Sequence, residues 1–463
     1  MATDECKCNE STIVEGIFGE ILSGSTTKVS VKSSVDDQFD VEGLSTGGGD
    51  QSVYGAVKIK SYTMTNSNRM EVVLISWGAS IVSLKCPDKF GRSEDIVLGF
   101  DHIENYIDPV INQYIGCILG RYCNRIKDGS FIIGGKMYQL SKNDENKHHL
   151  HGGVNGFGRQ LWNSQIDGCS VIMSYLSDDF EEGYPGALLV TVRFKLRFDN
   201  KLEISIRATT TKPTIVNLSY SPYFNLAGHD AGVFELENHK ISLNCDRWTF
   251  ADFSDPVPSG AVRGVGGTIM DLRISQLLGN VMYKVPAGQG YDHNFCVLKS
   301  QSGTSFVARA LHEKTGRVLE IYSNQQGVQF NTGGRLPPYS FEEKSSDSNF
   351  LQSRKESINS IKAMSEVKSA EFGEYIDSEN DSVVEKIIQM EIEDDKMSLI
   401  NNLEFIPGKN GARYKKFCAF SIQPQNYPNA VNVCHFPCSV LRPGQEYSND
   451  IIYKFGVQLA NYM

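Results

Sequence analysis

The 463-residue chain has no apolar run long enough to cross a membrane, and its first thirty residues hold no signal-peptide core. The expectation is a cytoplasmic protein with no membrane partner. Basic clusters are missing too: 55 acidic against 45 basic residues give a net charge of −10, which argues against a nucleic-acid partner. No Walker A loop, no dinucleotide fingerprint behind a strand and no HExxH motif occurs. The eleven cysteines are odd in number and irregularly spaced, which suits reduced, mostly buried thiols better than a disulfide framework. Cys434-His435-Phe436-Pro437-Cys438 could be half of a metal site, but no second pair stands near it, so neither metal nor cofactor is expected.

Helical periodicity is scarce between about residues 55 and 335, and period-two alternation takes its place. Residues 188–198 and 202–208, joined by an Asp199-Asn200-Lys201 turn, alternate apolar with charged residues almost without fault. The same signature predicts strands at 57–62, 70–77, 95–100, 169–176, 237–243, 305–312, 317–323, 417–422 and 450–456, with a hairpin over 129–140. Without βα units between them, these strands predict an all-β protein, a large antiparallel β-sandwich whose long loops carry any site. Residues 1–11 read as a polar tail and 12–463 as a single domain. That domain is interrupted by a polar insertion at about 26–51 and by an acidic one at about 340–404, rich in Ser, Glu and Asp. The acidic insertion reads as disordered, with a protein-binding role as the alternative.

Chemistry concentrates at Lys147-His148-His149-Leu150-His151-Gly152-Gly153, where three of the nine histidines fall within four residues. Upstream, Arg125 follows Asn124 between apolar runs, a place where a long cation needs a partner or a ligand. Asp292 lies between a Gly-rich turn and a strand, and Gln329 in a probable strand. A cationic fork, an imidazole, a carboxylate and an amide suit a neutral polyol.

Several stretches resemble the galactose mutarotase (aldose 1-epimerase) family. They include Gly120-Arg121-Tyr122-Cys123-Asn124-Arg125-Ile126, Leu150-His151-Gly152-Gly153, Tyr223-Phe224-Asn225-Leu226-Ala227-Gly228, Gly290-Tyr291-Asp292-His293-Asn294-Phe295, Gly327-Val328-Gln329-Phe330 and Gln425-Asn426-Tyr427-Pro428. The resemblance covers roughly residues 12–25 and 52–461 outside the acidic insertion. It implies a β-sandwich that binds free aldoses such as galactose or glucose in an open cleft and interconverts their anomers without a cofactor. It also implies that Asn124, Arg125, His151, Asp292 and Gln329 hold sugar hydroxyls.

Anomer interconversion needs a base to deprotonate the anomeric hydroxyl and an acid to protonate the ring oxygen. The family resemblance supplies a histidine as acid two residues before Tyr223 and a glutamate as base two before Gln425. This sequence has Ser221 and Gln423 there. A carboxamide accepts no proton near neutral pH and a hydroxyl is a poor acid. Three readings follow: an aldose-binding, catalytically impaired protein; an active epimerase with His151 as acid and Asp292 as base; or a non-catalytic interaction protein with a relic pocket.

Overall fold

The structure is a computed structural model that describes residues 5–7, 11–22, 56–252, 255–286, 289–299, 303–337 and 403–459. The polar insertion read at 26–51 and the acidic one read from 340, up to residue 402, lie outside the described residues.

Alternation decides the architecture. In the strand Leu188–Leu196, Leu188, Val190, Val192, Phe194 and Leu196 are fully buried, whereas Leu189 and Arg193 face outward. Burial of each such side chain is worth about 1.5–3 kcal/mol, so a one-residue slip of register would be costly. The strand pairs with Lys201–Thr210, and both belong to a nine-stranded antiparallel sheet in which the late strand Tyr447–Val457 lies beside Lys201–Thr210. A six-stranded antiparallel sheet runs in sequence order from Glu5–Lys7 to Ser93–Asp95. A five-stranded sheet contains, side by side, Cys245–Thr249, Asp292–Val297, Gly327–Asn331 and Ser421–Gln425. One hydrophobic core takes side chains from all three, among them Tyr62, Val192 and Phe330. The α-helices among the described residues are short: Ile103–Ile107, Gly232–Glu237 and Leu278–Val281. None is long and apolar enough to cross a membrane. The protein is a large antiparallel β-sandwich with long loops.

Several expectations need correction. The tail read at residues 1–11 contains the strand Glu5–Lys7, paired with Ser11–Leu22. The run 95–100 is not a strand beyond Asp95, because its hydrogen bonds go to separate partners: Ile96 N–H to Leu84 O, Leu98 N–H to Tyr223 O, and Val97 O from the buried Lys409 ammonium. The ladder expected over 417–422 begins only at Ser421, since Phe417 has φ 62° and turns the chain. The expectation of reduced, mostly buried cysteines holds for the majority, with exceptions. Cys169 is disulfide-bonded, and Cys434 and Cys438 are exposed, although six others are free and buried.

Arg317 joins the layers. Its buried guanidinium donates to Cys86 O (3.1 Å), Leu226 O (2.9 Å) and Arg92 O (3.0 Å), fixing the segment after Tyr223 against the six-stranded sheet. Buried carbonyls left without donors cost about 1–3 kcal/mol each. Arg317→Met is therefore expected to destabilise the protein by about 3 kcal/mol. Urea unfolding checks this, and a loss below about 0.5 kcal/mol, the range of ordinary surface substitutions, would contradict it.

Candidate functional site

The five-stranded sheet turns one face to the core and the other to a polar cavity. Phe295, Val328, Phe330 and Ile422 are wholly buried on the core side. Pleating then puts their neighbours Asp292, Asn294, Gln329, Asn331, Ser421, Gln423 and Gln425 on the opposite side. Register aligns them: Asn294 is opposite Gln329, which is opposite Gln423, while Asp292, Asn331 and Ser421 form the next row. The side chains satisfy one another. Gln329 Nε2 donates to Asp292 Oδ1 at 2.7 Å, Asn331 Nδ2 to the same oxygen at 3.1 Å, and Gln425 Nε2 to Asn294 Oδ1 at 3.1 Å.

The end of the histidine cluster, Leu150 and His151, contributes to another wall. His149–Leu150 pairs with Arg125–Ile126. Beyond that ladder, Asn124 and His151 both adopt left-handed backbone, φ 65° and 52°, and clasp each other: His151 N–H donates to Asn124 O (3.2 Å) and Asn124 N–H to His151 Nδ1 (3.1 Å). Gly152 is required next to them, because a Cβ there would lie 1.8 Å from Gly120 O. His148 and His149 are buried and line no part of the cavity. Nδ1 of His148 accepts from Asp128 N–H, and Nδ1 of His149 bonds Ser141 O.

All seven residues singled out from the sequence line one cavity of about 140 Å³: Asn124, Arg125, His151, Ser221, Asp292, Gln329 and Gln423. Ser221 arrives from the strand Ser219–Tyr220 and is fixed through its peptide, Ser221 N–H to Cys117 O and Gly116 N–H to Ser221 O. Gln423 Nε2 donates to Ser221 Oγ and to Ser421 Oγ, each at 3.1 Å. With both amide protons committed, the carboxamide oxygen is left to meet a ligand.

Sequence reasoning missed Asp144 and Arg335. Arg125 Nε donates to Asp144 Oδ2 at 2.6 Å, and Arg335 Nη1 to Asp144 Oδ1 at 3.1 Å, while Arg335 Nε lies 3.9 Å from Asp292 Oδ2. Nothing near Asp144 in sequence, within Asn143-Asp144-Glu145-Asn146, distinguishes it from a turn residue. Asn331 and Gln425 were within reach, since each is two residues from a candidate on a strand and shares its face.

Electrostatics carry the cavity's imidazole and both its described carboxylates away from neutrality. Burial drives the His151 pKa down to about 3, with the nearby Arg125 adding to the effect. Since Nδ1 accepts from Asn124, the neutral ring carries its proton on Nε2. Burial opposes the Asp144 charge, but Arg125 and Arg335 prevail and lower its pKa from 3.8 to about 2. The same guanidiniums, with the Gln329 amide, overcome burial at Asp292 and hold it below its ordinary value. Burial pushes the Tyr223 phenol up. Among the described residues no cluster of three or more His, Cys, Asp or Glu side chains could hold a metal.

Fold and cleft together define a β-sandwich with an open polar site, and comparison with known proteins gives that architecture a family. The aldose 1-epimerase family model matches residues 60–454, and the chain belongs to this family. It is 34% identical to the galactose mutarotase of Bos taurus over 403 residues, 87% of this chain and 96% of that one. It is 35% identical to the galactose mutarotase of Homo sapiens over 391 residues, 84% and 92% of the two chains. Among solved structures, an aldose epimerase homologue from C. elegans superposes with a TM-score of 0.64 at 25% identity, covering 85% of this chain and 97% of that one.

The Asp144 network makes stability depend on pH in a defined direction. Its folded pKa is below its unfolded value, so its contribution is present above about pH 4 and is lost as pH falls toward about 2. Asp144→Asn is expected to be less stable than the wild type at pH 7 by roughly 2 kcal/mol, with the gap narrowing below pH 4. Urea unfolding at several pH values checks this; a gap independent of pH would contradict it.

Proposed function

We propose that this protein is an aldose-binding member of its family that does not turn its ligand over at an enzymatic rate. The observation that carries the reading is the hydrogen bond from Gln423 to Ser221 at the cavity wall, where the family resemblance places a base and an acid. Neither side chain moves a proton near pH 7. Each loss costs on the order of 10²–10⁴-fold in rate.

The cavity's other groups do not make good the loss. As a base, Asp292 is held below its ordinary pKa by Arg125 and Arg335 and accepts from Gln329 and Asn331, so it has little tendency to take a hydroxyl proton. As an acid, His151 is neutral near pH 7, and a neutral imidazole does not protonate a ring oxygen. These electrostatics disfavour the epimerase reading with His151 as acid and Asp292 as base. As binding groups the same residues are well suited. Asp292 accepts, His151 Nε2–H donates, and Asn124, Arg125 and Gln329 frame the space between, which fits the vicinal hydroxyls of a closed sugar ring such as galactose or glucose. An intact, mutually bonded set of this kind favours a working pocket over a relic.

Polarimetry of freshly dissolved α-D-galactose tests the catalytic half. The relaxation rate with purified protein is expected to match that of buffer, and the double variant Ser221→His with Gln423→Glu to accelerate it by at least about 100-fold over wild type. Ordinary enzymatic relaxation by the unaltered protein would overturn the reading.

A further inference from the structure

The cavity is cationic although the chain is acidic. Among the described residues its lining includes Arg125, Arg159 and Arg335 against Asp144 and Asp292, and His151 is neutral near pH 7. Arg125 and Arg335 share Asp144, and Arg335 also approaches Asp292. Arg159 has no carboxylate partner among the described residues. Its Nη1 donates to Val154 O at 2.7 Å and its guanidinium lies 5.0 Å from the centre of the Tyr114 ring, which leaves Nε and Nη2 without an acceptor. The side chain is partly buried, so the cation has lost part of its hydration without gaining a counter-charge.

Tyr114 is held between His151, at 4.8 Å, and Arg159, with Asn143 Nδ2 at 3.5 Å from its hydroxyl. This wall therefore presents a cation with unused donors, whereas the donors on the sheet wall (Gln329, Asn331, Gln423 and Gln425) are bonded to neighbours on their own sheet or to Ser221. A sugar hydroxyl brings a proton of its own with each acceptor and leaves the guanidinium charge uncompensated. An oxyanion is acceptor-only and matches the fork in both geometry and sign.

We propose that Arg159 forms an anion subsite in this cavity, so that the preferred ligand is an aldose bearing a carboxylate or phosphate. The proposal rests on the aldose-binding reading above and specifies its ligand class. Arg159 acts on specificity and takes no part in proton transfer.

Calorimetric titration of the full chain with D-galactose, D-galacturonate and galactose 6-phosphate tests it, the last two separating a carboxylate source from a phosphate source. At least one anionic sugar is expected to bind about tenfold or more tighter than galactose. That advantage should shrink as salt is raised, fall to about one in Arg159→Gln, and survive in part in Arg159→Lys. Galactose binding as tightly as both anions overturns the subsite alone, as does an advantage that persists in folded Arg159→Gln. Binding of none of the three overturns the aldose-binding reading as well. The wild-type ratio and its salt dependence decide the matter even if the variants fail to fold.

Discussion

A sheet that buries one face in a core and turns the other to a small cavity must satisfy its polar groups largely among themselves, and this constraint organises the site. The polar face of the five-stranded sheet answers it with carboxamides. Gln423 bonds two serines, Gln425 bonds Asn294, and Gln329 and Asn331 converge on one oxygen of Asp292. Amides can donate and accept at once, so such a row closes on itself around the single carboxylate of Asp292. Beside it, Arg125 and Arg335 share Asp144, and Arg335 also approaches Asp292.

That arrangement bears on what the pocket can do. Proton transfer wants groups with pKa values near the working pH. Here every shift runs the other way: the carboxylates are driven down by arginines and the imidazole is driven down by burial. The pattern favours binding, because fixed donors and acceptors in a partly desolvated cleft hold hydroxyls without reorganising. The Gln423–Ser221 bond is the centre of this account.

The fold was legible wherever one face of a strand is solvated. Leu188–Leu196 and Lys201–Thr210 stand where alternation put them, and so do the hairpin within 129–140 and the pair at 305–312 and 317–323. Alternation is uninformative where both faces are buried. The strand Ser80–Pro87, nearly all buried, had no pattern to read, and the apolar run after Asp95 resembled a strand although its hydrogen bonds go to several partners. Cys245–Thr249 was missed because Asp246 and Arg247 interrupt its pattern. For the site, family motifs gave seven residues that converge on one cavity. They could not give Asp144 or Arg335, 191 residues apart and joined only by the tertiary fold. Charge partners chosen by topology leave no local signature, whereas strand neighbours such as Asn331 and Gln425 do.

The central claim is binding without anomer interconversion, and one NMR experiment on an equilibrated galactose solution addresses both halves. Saturating the protein signals should attenuate sugar resonances, while exchange between the α and β anomeric signals stays at its buffer rate. Exchange cross-peaks growing at an enzymatic rate, or no transfer of saturation to either anomer, would contradict the account.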